Sequence, residues 1–397
     1  MEFCTRISNQ LMLKEIEKHN DRNTVSSPLS INLVLNMVVA GSKGRSLQYM
    51  LDFLGSKNID EINFRSSEMM AVAAVGGSPN NTENDSTVVM VNGVWVDKCI
   101  LLRPSYEEFI RGIHKCEVKT VDILNKVRQV ENEVNSWASV ASRGLIKEIL
   151  RPESLSRDTS IILANGLYFS YKFDASRTYK RDFHLSKGRT VLVPFMSSHR
   201  RYYFGSFLGF KVLGIPCLNQ KLNMYFFLPN EKCGLKNLVE EFNTNPRFLQ
   251  QNLNLREVKL DQFWIPKFKF SSDFDVSRVM EDMRVPLSFL ENPKDWSDMI
   301  DIPARVSFMD TKMFQKACIE VDEKPNSSAG MDLELPSMLM PTRKVLGASS
   351  MPGQKTASFI ADHPFMFMIK EETSGSVFFS GAVLNPISGE LFLEREW

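Results

Sequence analysis

Helix-like and strand-like stretches are segregated along this chain, and that segregation constrains its fold more than any single motif. The first third reads as helices. Ile7, Leu11, Leu13 and Ile16 recur at helical spacing over 7–19. Ser27-Pro28 opens a second helix. Serine caps it, and proline takes the first helical position, where its missing N–H is not needed. Ile31, Leu33, Val34, Met37 and Val38 give that helix its buried side. Further helices are expected over 44–54, 59–75 and 103–113. The most amphipathic stretch is 126–150, where Val130, Val134, Trp137, Ala141, Leu145 and Ile149 share one face. The β-branched run 87–96 predicts a strand among these helices. From 159 onward strands dominate, over 159–169, 209–216, 221–228, 255–260, 262–270 and 306–322, with one helical stretch at 235–251. His363–Ile369 and Val377–Val383 flank Thr373-Ser374-Gly375 as a terminal hairpin. Helices first, strands later and little alternation predict an α+β domain, not a doubly wound sheet.

Composition narrows the function classes. The chain has 397 residues, 43% hydrophobic and 24% charged, which is ordinary globular usage. Lys+Arg is 48 and Asp+Glu is 47, so no overall field of either sign recruits nucleic acid. No apolar run reaches the roughly 18–20 residues a membrane helix needs. The beginning of the sequence lacks the apolar core of a secretion signal, so a cytoplasmic location and reduced thiols are expected for its six cysteines.

Catalytic motifs are missing from the sequence: there is no HExxH, GxGxxG, GxSxG or Walker A loop. Gly41-Ser42-Lys43-Gly44-Arg45-Ser46 faintly resembles a phosphate loop, but it follows a helix and lacks the GK[ST] ending, so it reads as a helix–helix turn. None of the five histidines has a His or Cys at metal-ligand spacing. Asp362 and His363 are adjacent. On a strand they would point to opposite faces, so no dyad is expected there. Asp332 and Glu334 read as solvated loop charges. The expectation is a protein that is not an enzyme and holds no metal or cofactor.

One segment fits neither helix nor strand. Residues 323–358 contain four prolines and three glycines and are rich in serine. So long a structureless stretch inside a domain is usually functional or disordered.

The order of local motifs resembles the serpin family. Asn23-Thr24-Val25-Ser26-Ser27-Pro28-Leu29-Ser30-Ile31 resembles its N-x-x-F-S-P-x-S-I segment. Asn92–Asp97 is similar to a strand of its large sheet, and Asn135-Ser136-Trp137 to its N-x-W. Leu163–Phe169 resembles L-A-N-A-L-Y-F, and Ile265–Phe270 resembles L-P-K-F-K. Ala361–Phe365 and Phe378–Gly381 are similar to its terminal signature. Val193–Ser198 and Gly209–Leu213 resemble plant Z-type members.

The resemblance covers about 5–386. It implies one serpin domain over 1–397, with about nine helices and three sheets, a reactive loop at about 323–358 and a tail at 387–397. It implies a monomer whose partner is a serine protease, or a cysteine protease, trapped as a suicide substrate. It also leaves an extracellular location open by analogy. The bait bond is expected at Leu339-Met340, suiting a chymotrypsin- or elastase-like enzyme, with Arg343-Lys344 as a trypsin-like alternative.

The hinge that must enter the sheet is implied at Glu323, Lys324, Pro325, Asn326, Ser327, Ser328, Ala329 and Gly330. Pro325 stands where the family has glycine, and proline is excluded from central strands. In one register Asn326, Ser328, Gly330, Asp332 and Glu334 would face the core; one residue of slip presents Ala329, Met331, Leu333 and Leu335 instead. Ser27, Ser30, Asn165 and Gln315 mark the region where the sheet opens, with Gln315 in place of the family's histidine. After Tyr168-Phe169 the family's K-G-x-W is missing, and Ser170-Tyr171-Lys172-Phe173 follows directly. These departures imply an inhibitor by descent whose trapping is impaired, or a non-inhibitory relative that is only cleaved or bound.

Overall fold

Ser27 starts the helix that carries the middle of the molecule. Its Oγ accepts a hydrogen bond from the Ser30 N–H at 3.0 Å, and Pro28 follows as the first helical residue. In a computed structural model of the chain, the described residues are 2–19, 21–76, 85–173, 177–218, 220–245, 247–250, 253–282, 293–301, 310–324 and 357–388.

The helices are α1 (Glu2–Lys18), α2 (Pro28–Ala40), α3 (Gly44–Leu54), α4 (Ile59–Gly76), α5 (Pro104–Ile113), α6 (Ile123–Ala141), α7 (Leu235–Thr244), α8 (Arg247–Gln250) and α9 (Val276–Asp282). The strands begin with β1 (Thr24–Ser26), β2 (Ser86–Asp97), β3 (Leu101–Leu102), β4 (Glu117–Val121), β5 (Thr159–Phe173) and β6 (Arg177–His184). They continue with β7 (Thr190–Ser197), β8 (Arg201–Ser206), β9 (Phe210–Cys217), β10 (Leu222–Pro229), β11 (Arg256–Lys259) and β12 (Gln262–Pro266). The last are β13 (Phe268–Asp275), β14 (Ile300–Asp301), β15 (Asp310–Glu323), β16 (Ser358–Ile360), β17 (Phe365–Glu371) and β18 (Val377–Val383).

Three large sheets result, ordered β13-β15-β5-β2-β4, β16-β12-β7-β6 and β1-β18-β17-β10-β9-β8-β11, beside a two-strand β3–β14 ladder. The five-stranded sheet is covered on both faces. Leu163, Met313, Val94 and Val96 pack toward Val34, Leu35 and Val38 of α2. On the other face Ile162, Ala164, Phe314 and Trp95 pack toward Val130 and Val134 of α6. Double coverage is why β5 reads as a nearly unbroken apolar run instead of an alternating one.

The expected α+β class holds, with helices α3 and α5 and the terminal hairpin close to where the pattern places them. Two features differ. The long amphipathic helix stops at Ala141, not 150. Arg143 and Gly144 take positive φ of 58° and 81°, and the Ser142 hydroxyl accepts from the Ile146 N–H at 2.8 Å, folding the chain back. Ile146 and Ile149 are still buried against the sheet, from the returning loop and not from the helix. The stretch 262–270 is two strands in different sheets, divided at Lys267, whose N–H bonds the Pro194 carbonyl at 2.9 Å. The pattern also does not anticipate strands β1, β3, β4, β6, β7, β8, β14 and β16, the last beginning at Ser358 in the stretch expected to be structureless. β6 is an edge strand with charged residues on its open side, so it lacks apolar alternation.

Gly41–Lys43 forms the turn between α2 and α3, as expected, and the Ser46 hydroxyl is bonded to Asp295 at 2.5 Å. All six cysteines are free thiols. No helix among the described residues is long and apolar enough to cross a membrane.

Candidate functional site

The middle of the five-stranded sheet contains a long parallel seam. β15 and β5 pair in parallel from Asp310↔Thr159 to Glu323↔Phe173. Both have antiparallel partners on their outer sides, β13 for β15 and β2 for β5. Parallel pairing is slightly less stable per residue than antiparallel pairing. A strand entering the seam and running back from the end of β15 would be antiparallel to both neighbours. One parallel ladder would then be exchanged for two antiparallel ones, so the topology favours a chain able to make that insertion.

The chain leaves β15 at the top of this seam. The Lys324 N–H donates to the Phe173 carbonyl at 2.8 Å, and the described chain resumes at Ala357, whose carbonyl accepts from the Asp261 N–H at 2.9 Å. Ser358–Ile360 then joins β12 as β16. Of the expected hinge, Glu323 and Lys324 are described. Pro325, Asn326, Ser327, Ser328, Ala329 and Gly330 lie outside the described residues, as do Leu339, Met340, Arg343 and Lys344, Asp332 and Glu334, and most of the tail.

An ionic cluster closes the top of the seam. Glu320 on β15 accepts from Tyr168 of β5 at 3.0 Å, pairs with Lys172 of β5, and lies 3.3 Å from Lys269 of β13. Asp322 lies 3.1 Å from Lys267 and 3.7 Å from Lys172. Glu323 bonds both Lys267 and Thr178. Burial pushes the Glu320 carboxyl up. Its hydrogen bond to Lys172, the charges of Lys172 and Lys269, and Tyr168 outweigh that and hold it below the ordinary carboxylate range. Asp322 is also held low: burial raises it, but the Glu323 N–H and Lys267 prevail. Lys172 occupies the stretch shortened in this sequence. The cross-seam pairs it makes could be anticipated only by counting that shortening against the strand register.

The expected opening region is partly assembled. Asn165 and Gln315 are direct partners across the seam, and Asn92 on β2 continues the row. The Asn165 side chain donates to the Asn92 side-chain oxygen Oδ1 at 2.5 Å, and the Asn92 side chain donates to the His114 main-chain carbonyl at 2.8 Å. Gln315 is fully buried, and neither end of its amide has a hydrogen-bond partner among the described residues. The side-chain oxygen of Asn165 and the Ser30 hydroxyl are likewise buried without partners among the described residues. Ser27 serves α2 as its cap, while α2 itself packs against β5 and β15. Asn92 was not singled out from the sequence; it was hidden inside an apolar strand pattern.

One expectation is corrected. Asp362 and His363 do meet: His363 Nδ1 lies 2.7 Å from the Asp362 carboxylate, and Nε2 lies 2.8 Å from the Pro229 carbonyl. They sit in the bend before β17, not on a strand, so alternation does not separate them. With a backbone carbonyl on the second nitrogen, the pair ties the end of β10 to the start of β17, a structural role.

A model of the family described as "Serpin (serine protease inhibitor)" matches residues 2–386. Serpin-Z3 of Arabidopsis thaliana is 36% identical, covering 97% of this chain and 99% of its own length. Serpin-ZX of Hordeum vulgare is 32% identical over 97% of this chain and 96% of its own. The solved structure of Arabidopsis AtSerpin1 in its native stressed conformation shares 33% identity at a TM-score of 0.82, covering 98% of each chain. Uncleaved ovalbumin, at 20% identity and a TM-score of 0.75, shares the fold. A closed parallel seam, with the chain leaving its top at Lys324, is thus found in a chain that matches one family over residues 2–386: this protein is a serpin, similar to the plant Z-type members.

Proposed function

We propose that this serpin offers residues 323–358 to a protease as bait, with Leu339-Met340 as the preferred bond, and that it traps the enzyme inefficiently. The observation that carries the reading is the closed parallel seam between β5 and β15, with the chain leaving from its top at Lys324. Attack on the bait bond forms an acyl-enzyme. The freed N-terminal arm of the loop then enters the seam as an antiparallel strand and carries the protease with it. Release of stored conformational free energy drives that movement.

Two features slow insertion relative to deacylation. Pro325 directly follows Lys324 in the sequence, so an entering strand would lack one ladder donor there and meet a ring that resists the strand geometry. The Glu320 and Asp322 ion pairs must also part before β15 can separate from β5. The second reading is a serpin that is merely cleaved or bound. Gln315 favours it, because a partnerless amide at the seam gives the opening sheet no hydrogen bond to hold. The chain acts as an inhibitor or substrate, not as an enzyme.

Incubation with chymotrypsin-like and trypsin-like proteases, followed by a denaturing gel, tests this. A minor covalent band at the summed mass beside a major clipped species is the expected result. Clipped protein alone, with the protease fully active, supports the second reading. No cleavage within 325–356 by any protease overturns the bait reading and leaves only the binding form of the second.

A further inference from the structure

We propose that the exposed β6 edge of the β6–β7–β12–β16 sheet, together with the neighbouring Trp264, is a second contact surface for the protease that takes the loop, and that it selects enzymes with an acidic rim beside the active cleft. The proposal rests on the bait reading above. It adds where, besides the loop, the enzyme is held.

The position follows from the two anchors of the loop. Thr178, at the start of β6, is hydrogen-bonded to Glu323, where the chain leaves the body. Gln262–Trp264 of β12 pairs in parallel with Ser358–Ile360, where it returns. The sheet therefore lies between the point where the chain leaves the body and the point where it returns, and in this proposal the bound enzyme sits over it.

The side chains there suit a protein partner. Tyr179 is 53% exposed, and its ring centroid lies 6.1 Å from that of half-buried Trp264. The Arg181 guanidinium lies over the Trp264 ring, 4.4 Å from its centroid. Stacking uses the flat face of a guanidinium and leaves the N–H edge free for a carboxylate. Arg181 has no carboxylate partner among the described residues, and neither has Arg177. Tyrosine, tryptophan and arginine are the residues that most often dominate binding energy at protein interfaces.

The charge is equally local. The chain as a whole carries a net charge of +1, yet residues 177–201 hold seven Lys/Arg and one acid, Asp182. Asp182 alternates to the other face of β6 from Arg181. Three of those cations are answered at a distance: Arg189 by Asp21, Arg200 by Asp85 and Arg201 by Glu257. Arg177 and Arg181 stay available beside the exposed aromatics. Such a field accelerates encounter with an acidic surface and slows encounter with a basic one.

The test uses the full chain with chymotrypsin-like proteases of acidic and of basic surface. The second-order rate of loop cleavage and complex formation is measured at low and high salt, for the wild type, Arg181→Glu, Arg177→Glu and Tyr179→Ala. Unchanged thermal midpoints establish that the variants fold. A free peptide spanning 323–358 supplies each enzyme's preference for the loop alone. The expected result is a loss of about tenfold in rate for Arg181→Glu with the acidic enzyme, shrinking at high salt, with no loss for the basic enzyme. Wild-type rates for Arg181→Glu and Arg177→Glu with the acidic enzyme overturn the second surface while leaving the bait reading intact. Retention on a sulfated polysaccharide that Arg181→Glu abolishes, with no change in protease rates, also overturns it and gives the patch to polyanions. Absence of any cut within 325–356 overturns the bait reading, and this proposal with it.

Discussion

Lys172 of β5 and Glu320 of β15 form an ion pair across the line where the two strands meet, and Lys172 also lies 3.7 Å from Asp322. One lysine therefore links two acids of the neighbouring strand. Removing it leaves Glu320 with Tyr168 and Lys269, so its charge is not orphaned. Lys172 is about one-third exposed, which discounts the effect further. Lys172→Met is expected to lower stability by about 1–2 kcal/mol and to accelerate heat-induced oligomerisation. A urea or thermal midpoint equal to that of the wild type would remove the pair from the account of how the seam is held.

Gln315 makes the opposite prediction. Its amide is buried with no hydrogen-bond partner at either end among the described residues, which costs about 1–3 kcal/mol. Methionine has similar length and volume and no such cost. Gln315→Met is expected to stabilise the native state by about 1–2 kcal/mol, seen as a raised urea midpoint with an unchanged slope. A destabilised variant would show that the amide is satisfied in solution.

Acid sensitivity follows from His114. Its ring is fully buried, both nitrogens lack hydrogen-bond partners among the described residues, and burial pushes its pKa from 6.5 down to about 4. The ring packs edge-on against Phe109 at 5.9 Å. The unfolded state binds the proton first. The stability this neutral ring contributes is therefore complete above about pH 6.5 and is lost as pH falls toward about 4. The full swing is about 3 kcal/mol. Glu320 and Asp322, both held low, add a further loss at more acid pH as they protonate and release their lysines. Urea midpoints between pH 7 and 4 should fall for the wild type and fall less for His114→Gln.

The sequence revealed the fold where one physical signal dominated. α2 was legible because Ser27, Pro28 and the apolar positions after them agree, and the structure bears out each. The helix over 126–150 was overextended because Ile146 and Ile149 remain buried after the helix ends; periodicity reports burial, not hydrogen bonding. β6 escaped because its partnerless edge accepts Arg177, Lys180 and Arg181, and no alternation survives there. Gln315 and Asn165 were found from resemblance, and the register pairs them directly across the seam. The ionic cluster was not legible, because it joins β5, β13 and β15 through pairings that no local pattern encodes.

The hinge gives the most direct test of trapping. Glu323 is fixed by Lys267 and Thr178, and the Lys324 N–H by the Phe173 carbonyl, so a returning strand must begin close to Pro325. An entering strand needs an N–H at alternate positions to build its first ladder, and proline supplies none. Glycine restores the missing ladder N–H, and a hydrogen bond of that kind is worth about 1 kcal/mol net, more where its carbonyl partner would otherwise be buried unpaired. Only part of that reaches the transition state for insertion, so a several-fold increase in insertion rate is expected for Pro325→Gly. Deacylation is chemistry of the protease and should not change. The ratio of covalent complex to clipped serpin should therefore rise several-fold, read by densitometry and by the number of serpin molecules consumed per enzyme inhibited. An unchanged ratio would mean that the rate is set deeper in the seam. The double variant Pro325→Gly/Gln315→His would then be the one to show whether the centre of the sheet, and not its entrance, controls opening.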